Sequence, residues 1–231
     1  MKNYIILNEN IYRQYKDEVL SLNPRLFTDN YFYNLDTYET PFDLKGLENY
    51  LSYVEQIEIF VSFSFLDFTN LLLILSFLKE KKYQNDIIVS YLFTNKARLS
   101  EAKLTSTKLK LEDLKDVDEI LLCLKNKQSI KNVSLKIPGF INYVNFFNIL
   151  TNKEQFLEII DEAMEDIEDN ETTIAKYLAD KYETMGLNEK FYQEYIKELE
   201  KEDVWKIWFK SNIFASLFWG TRFNGSFRYA S

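Results

Sequence analysis

The sequence predicts an α/β protein: a small parallel sheet with a βαβ unit, followed by a helical carboxy-terminal part that ends in a β-hairpin. Two observations predict the sheet. A run of alternating apolar residues leads into a long apolar segment, and a β-branched run follows that segment. Strand, helix and strand in this order imply parallel strands joined by a right-handed crossover. Apolar residues at three- and four-residue spacing beyond residue 139 predict the helical part.

The βαβ unit covers residues 57–93. Apolar residues occupy alternate positions over 57–65, which predicts a strand. Asp67 is in position to cap the amides of a helix over Phe68–Leu78, and Asp86–Phe93 is predicted as the next strand. A membrane helix needs about 20 residues in one conformation. This run changes from strand to helix near its middle, so we expect no membrane span.

The other elements of the amino-terminal part are predicted from shorter patterns. A first strand is predicted at Asn3–Leu7, and a long, partly helical excursion separates it from the second strand. An amphipathic helix is predicted at Leu109–Lys125 and a short strand at Val133–Ile137. Residues 1–135 are therefore predicted to form the α/β domain.

The carboxy-terminal part, residues 136–231, is predicted to be helical. Its helices are predicted at 140–150, 153–167, 172–183, 188–201 and 204–218. Gly186 is the expected stop of the third helix and Asn188 the expected cap of the fourth. Asn224-Gly225, at the centre of residues 219–230, predicts a terminal β-hairpin.

The composition excludes several kinds of catalysis. The chain has no histidine, which removes Ser-His-Asp and Cys-His nucleophile systems and histidine-containing zinc sites. Its five glycines are too dispersed for a P-loop or a Gly-x-Gly-x-x-Gly motif. Cys123 is the only cysteine, so an intramolecular disulfide cannot form. We expect no metal and no cofactor, and catalysis would have to rest on Asp, Glu, Lys, Tyr or Ser.

The charge distribution bears on partners and location. A formal net charge of −8 disfavours nucleic acid, because nonspecific binding needs a positive surface that displaces counterions. The acidic run at 161–171 is predicted to be a solvated helix end, and the basic strip at 96–110 a mobile loop. An acidic surface that imitates nucleic-acid phosphates is the alternative. No signal peptide opens the sequence, so a cytoplasmic location is expected.

Polar residues lie at the ends of three predicted strands, where ligands bind in open parallel sheets. They are Asn8, Glu9 and Asn10 at the end of the first strand, Ser62, Ser64 and Asp67 at the end of the second, and Thr94, Asn95, Lys96 and Arg98 at the end of the third. If these strands are neighbours, Asp67 beside Lys96 or Arg98 would hold a polar or anionic ligand. In the alternative interpretation, Asp67 only caps a helix, the serines are small fillers and Lys96 is solvated.

The aromatic carboxy-terminal segment is the candidate for protein contacts, because Trp, Tyr and Arg are the favoured anchors of interfaces. The candidate residues are Trp205, Trp208, Trp219, Arg222 and Arg228. A protein partner or a homodimer through this segment is one hypothesis. Packing of the same rings into a core is the alternative.

Three blocks of the sequence resemble a known family. They are Ile6-Leu-Asn-Glu-Asn10, Asn70-Leu-Leu-Leu-Ile-Leu75 and Tyr182-Glu-Thr-Met-Gly-Leu-Asn188. Together they are similar to a bacterial α/β family called domain of unknown function 1835. The resemblance implies an α/β fold followed by a small helical domain, and it implies no activity. Glu9-Asn10-Ile11 stands where the family has Gly-Asp-Ser, so a function of that loop is not carried over.

The expected function is that of a non-catalytic cytoplasmic protein that binds a protein partner or a small ligand. One alternative is an enzyme acting on a phosphorylated or nucleotide-like small molecule. In that case Asp67 or Glu9 would be the base or a metal ligand, and Lys96 and Arg98 would clamp the anion. Another alternative is an acidic inhibitor protein of a phage or mobile element.

Overall fold

The structure is a computed structural model that describes residues 3–20, 24–27, 44–92, 96, 98–167 and 173–201. The chain divides into two compact units. The first comprises residues 1–152 and 184–186, and the second comprises residues 153–183 and 187–231. The sequence analysis starts the helical region at residue 136, whereas the first unit extends to 152 and includes one of the predicted helices.

The first unit contains a sheet of five strands. They are β1 (Asn3–Asn8), β2 (Arg25–Phe27), β3 (Gln56–Val61), β4 (Asp86–Leu92) and β5 (Lys103–Leu109). Their order is β2-β1-β3-β4-β5. The first four are parallel, and β5 runs antiparallel to β4. The predicted α/β class is confirmed, and the sheet is mixed rather than wholly parallel.

Strand β5 lies where the sequence analysis predicts a mobile basic loop, and that prediction is wrong. The ammonium of Lys103 lies 2.7 Å from a carboxylate oxygen of Glu58, and that of Lys108 lies 2.5 Å from Asp86. The lysines therefore pair with acids on the inner strands, as opposite charges do across a sheet. Leu109, predicted to begin a helix, is the last residue of this strand.

Seven α-helices of the described residues belong to the first unit, together with a 3₁₀-helix at Leu111–Leu114. The α-helices are α1 (Glu9–Gln14), α2 (Lys16–Val19), α3 (Leu44–Leu51), α4 (Phe65–Glu80), α5 (Leu99–Ala102), α6 (Val117–Lys125) and α7 (Phe140–Thr151). Helix α4 is buried almost all round, and Leu71, Leu75 and Leu78 have no exposed surface. Each such side chain contributes about 1.5–3 kcal/mol of burial free energy. This burial accounts for the weakly charged run in the sequence.

Helices cover both faces of the sheet. On one face, a buried cluster contains Tyr15, which lies between α1 and α2, Val19 of α2 and Leu92 of β4. On the other face, the ring of Phe68 in α4 lies 6.3 Å from that of Tyr91. Tyr91 and Leu92 are successive strand residues and so point to opposite faces. The end of β4 is therefore covered from both sides.

Two predicted strands differ from the structure. The alternation over 57–65 predicts a strand to residue 65, but β3 ends at Val61 and the chain turns into α4. Residues 133–137 form no strand, although Leu135 and Ile137 are buried as the alternation predicts. Alternating apolar residues can be buried in an extended segment that pairs with no neighbouring strand.

The described part of the second unit contains three α-helices. They are α8 (Lys153–Asp166), α9 (Ile174–Lys181) and α10 (Glu189–Lys201). The ring of Tyr195 lies 5.2 Å from Phe156 and 5.9 Å from Phe191 in the core of this unit. The predicted cap is confirmed, because Asn188 Oδ1 accepts a hydrogen bond of 2.9 Å from the Phe191 N–H.

Several predictions lie outside the described residues. They are the last helix at 204–218, the hairpin at 219–230, and Trp205, Trp208, Trp219, Arg222 and Arg228. Of the acidic run, residues 161–166 belong to α8. Within the described ranges, no helix has both the length and the apolar character needed to cross a membrane.

Candidate functional site

The strand order creates a topological switch point between β1 and β3. From β1 the chain crosses to β2 on one side, whereas β3 lies on the other side of β1. In open α/β sheets of the order 2-1-3-4-5, ligands bind beyond the carboxyl ends of the strands at this point. Asn8 ends β1, Ser62 follows β3, and α4 begins at Phe65. The candidate site is therefore formed around the loop from β3 to α4.

A buried hydrogen-bond network connects the ends of β1 and β3. Asp67 is 3% exposed, and its Oδ2 accepts hydrogen bonds from the Ser62 N–H at 2.6 Å and the Ser62 hydroxyl at 2.7 Å. Its Oδ1 accepts a bond of 3.1 Å from the side-chain amide of Asn8. Both carboxylate oxygens are thus engaged in holding neighbouring segments in place.

The N-cap of α4 is Ser64, and the expectation that Asp67 caps this helix is wrong. The Ser64 hydroxyl accepts a hydrogen bond of 3.1 Å from the Asp67 N–H, as an N-cap side chain does. Asp67, in the first turn, reaches back to the backbone that precedes the helix. The spacing Ser64-x-x-Asp67 matches the capping-box pattern, but the Ser64 N–H donates to the Ser62 hydroxyl while the Asp67 carboxylate accepts from Ser62.

The structure brings together Asn8, Ser64 and Asp67 but not the predicted cations. Lys96 and Arg98 are exposed, and neither forms an ion pair with a described residue. The backbone carbonyl of Lys96 accepts a bond of 3.1 Å from the Tyr15 hydroxyl. Neither cation is therefore paired with Asp67.

Of the remaining candidates after β1 and β4, the structure describes only the side chain of Glu9. Glu9 is paired at 2.6 Å with Arg13, one turn along α1. The side chain of Asn10 and the whole of Thr94 and Asn95 lie outside the described residues. Among the residues that the structure describes, no three acidic or cysteine side chains are grouped so as to hold a metal ion.

An aromatic cavity of about 290 Å³ lies next to this network and is absent from the sequence-based site. Its lining residues are Phe63, Phe65, Phe68, Gly139, Asn142, Tyr143 and Met185. The alternation in the sequence assigns Phe63 and Phe65 to a strand, which hides their part in a cavity. The recurrence of phenylalanine at the strand-to-helix junction is a local signal that was not interpreted as part of a site.

Two glycines allow the walls of this cavity to approach the loop from β3 to α4. Gly139 has φ +74°, and a Cβ there would lie 2.9 Å from Cδ1 of Phe63. Gly186 has φ +66°, and a Cβ there would lie 2.6 Å from Cβ of Ser64. Both positions need glycine, because the conformation is left-handed and a Cβ would clash. Residues 63 and 64 are thereby held between two close backbone segments.

The inner wall of the cavity is a cluster of stacked rings. The ring centre of Tyr143 lies 4.7 Å from that of Phe65 and 5.5 Å from that of Phe68. Its hydroxyl lies 3.3 Å from Oγ1 of Thr69, which itself donates to the Phe65 carbonyl. Tyr143 is therefore the donor to Thr69. Burial raises the pKa of the Tyr143 hydroxyl far above its usual value, so the group is neutral at physiological pH.

Tyr91 packs against the cavity residue Phe63, and the two rings stack at 5.1 Å. Its buried hydroxyl has no hydrogen-bond partner among the residues that the structure describes. A buried polar group without a partner costs about 1–3 kcal/mol. Tyr91→Phe is therefore expected to raise the free energy of unfolding by about 1 kcal/mol, measured by urea denaturation.

Tyr83→Phe is the matched control for Tyr91→Phe. The buried Tyr83 hydroxyl donates a hydrogen bond of 3.1 Å to the Val54 carbonyl. Loss of this bond is expected to lower stability by about 1 kcal/mol. Destabilisation of the Tyr91 variant by as much as the Tyr83 variant would show that the Tyr91 hydroxyl does have a partner.

The chain was compared with protein-family models, curated proteins and solved structures, and no match was found. The resemblance to the family called domain of unknown function 1835 therefore stays a prediction. Of its blocks, residues 6–8 end β1 and residues 70–75 lie within α4.

Proposed function

We propose that this protein is a non-catalytic binder of a small molecule, and that the ligand occupies the aromatic cavity. The observation that carries the proposal is a preformed cavity lined by Phe63, Phe65, Phe68 and Tyr143 beside the carboxyl end of β3. Ligand sites in proteins are concave, largely apolar and lined by aromatic side chains with a few polar groups. Their volumes run from about 300 to 1,000 Å³, so this cavity suits a small ligand.

Hydrogen bonding around the cavity supports binding over catalysis. The Asp67 carboxylate accepts bonds from Asn8 and Ser62, and the Tyr143 hydroxyl donates to Thr69. Groups that would have to move protons are thus engaged in holding the fold. An enzyme acting on a phosphorylated molecule, with Lys96 and Arg98 as a clamp, has less support because both side chains are solvated.

A variant that fills the cavity tests the proposal. Met185 lines the cavity, and Met185→Trp would place a large ring in it. Indole is expected to bind the wild-type protein and to bind this variant at least tenfold more weakly, because the space is occupied. Binding is measured by ligand-observed NMR titration, with circular dichroism to confirm that each variant is folded.

Leu122→Trp is the control, because Leu122 lies on α6, is 57% exposed and does not line the cavity. It adds the same ring and is expected to leave the affinity for indole unchanged. Equal weakening in both variants, or equal binding by all three proteins, would count against the cavity as the ligand site.

A further inference from the structure

We infer that the cavity selects an uncharged, planar nitrogen heterocycle with a hydrogen-bond donor and acceptor side by side on one edge. The side-chain amide of Asn142 forms the hydrogen bonds with this edge. This inference rests on the proposed function and specifies the class of ligand. It is carried by three features of the described lining residues: their lack of charge, their shape and the one side-chain amide among them.

The described part of the lining carries no formal charge. None of the seven lining residues that the structure describes is Asp, Glu, Lys or Arg. Transfer of an ionised phosphate or carboxylate from water into such surroundings is strongly unfavourable without a partner charge. The predicted cations Lys96 and Arg98 are exposed and do not line the cavity. The part of the ligand that enters is therefore uncharged.

The shape of the lining favours a flat ring. Four of the seven lining residues are aromatic, and the rings of Phe65 and Tyr143 already stack with an interplanar angle of 29°. Aromatic rings prefer offset stacked or edge-to-face contacts with other rings. A volume of about 290 Å³ leaves space for one ring system. Met185 adds a polarisable thioether, which also contacts rings favourably.

Asn142 supplies the polar recognition. Its side-chain amide makes no hydrogen bond with any described residue, so its donor and acceptor are both available. The other polar side chain of the lining, Tyr143, already donates its hydroxyl to Thr69. An asparagine amide binds an adjacent donor and acceptor with two hydrogen bonds, as it does on the edge of adenine.

The test compares adenine with naphthalene, which has two fused rings but no hydrogen-bonding edge. In ligand-observed NMR titrations, wild-type protein is expected to bind adenine at least tenfold more tightly than naphthalene. Asn142→Leu is expected to abolish this preference while naphthalene still binds. Asn145→Leu is the control, because Asn145 is exposed on the same helix and does not line the cavity.

The outcomes separate the two proposals. Equal binding of adenine and naphthalene by the wild type, with both lost in Met185→Trp, would overturn the role of Asn142 and leave the ligand site standing. Adenosine monophosphate binding at least tenfold more tightly than adenine would overturn the uncharged class. Failure of indole, adenine and naphthalene alike to bind the wild type would overturn both proposals.

Discussion

Asp67→Asn is expected to lower the free energy of unfolding by about 3 kcal/mol. The carboxylate is 3% exposed and accepts hydrogen bonds from the Ser62 N–H, the Ser62 hydroxyl and the Asn8 amide. Hydrogen bonds to a charged group contribute about 1.5–3 kcal/mol each, and an asparagine amide sets a donor against at least one of these donors. Urea denaturation followed by circular dichroism measures the change.

Asp118→Asn is the matched control for this prediction. Asp118 on α6 accepts from Ser76 at 2.7 Å and pairs with Lys79 at 2.7 Å, but its side chain is 57% exposed. Exposed ion pairs contribute about 0–1 kcal/mol, so a small loss is expected. If the two variants lose the same stability, the network around Asp67 does not hold the strand ends together.

The stability prediction also affects how activity data on Asp67 variants should be interpreted. The Asp67 carboxylate holds Asn8 and Ser62 in place by hydrogen bonds. Its removal is therefore expected to reduce any function of the neighbouring cavity, whether or not the carboxylate contacts a ligand. Loss of binding in Asp67→Asn would therefore not assign a chemical role to Asp67. Variants of the exposed Asn142 separate ligand recognition from folding, because its side chain makes no hydrogen bond with a described residue.

Phe65→Ala is expected to destabilise the first unit by about 3–5 kcal/mol, the range for removal of a buried phenylalanine. Phe65 has no exposed surface, and its ring contacts Tyr143, Phe146 and Phe147 at centroid distances of 4.7, 5.6 and 6.4 Å. Removal of this ring leaves a void between α4 and α7 in addition to the lost burial. Chemical denaturation of the full chain measures the loss.

Phe77→Ala on the same helix is the control for Phe65→Ala. Phe77 is only half-buried, with the ammonium of Lys81 5.7 Å from the centre of its ring. Phe77→Ala is expected to lower the free energy of unfolding by about 1 kcal/mol, because Phe77 buries less apolar surface than Phe65 does. If Phe65→Ala lowers the free energy of unfolding no more than Phe77→Ala does, the aromatic cluster around Phe65 does not stabilise the first unit as proposed.

Much of the fold can be predicted from the sequence, because the spacing of apolar residues within a short segment indicates whether that segment is a strand or a helix. The apolar alternation near residue 57, the β-branched run at 86–92 and the three- and four-residue spacing after residue 139 each record which side of the chain is buried. The structure confirms these elements within the described residues, except that β3 ends at Val61 and not at residue 65. Strand β5 was missed because Lys103 and Lys108 suggest a loop until their partners on the inner strands are known.

The candidate site was predicted only in part. Asn8, Ser64 and Asp67 are candidates from the sequence because each lies at the end of a predicted strand, and the structure connects all three by hydrogen bonds. It does not include Asn142 or Met185, which reach the cavity from segments far along the chain. No local pattern marks them, since an exposed asparagine on a helix has no periodic signal.

Local chemistry in the chain was enough to specify an α/β class, a buried helix after β3 and the absence of histidine-based catalysis. Tertiary structure alone decided that Asp67 bonds to Asn8, 59 residues earlier, and that Gly139 and Gly186 close on the loop before α4. Burial and turn preferences act over a few neighbouring residues. Contacts between distant segments depend on how the strands are ordered and on how side chains fill the space between them.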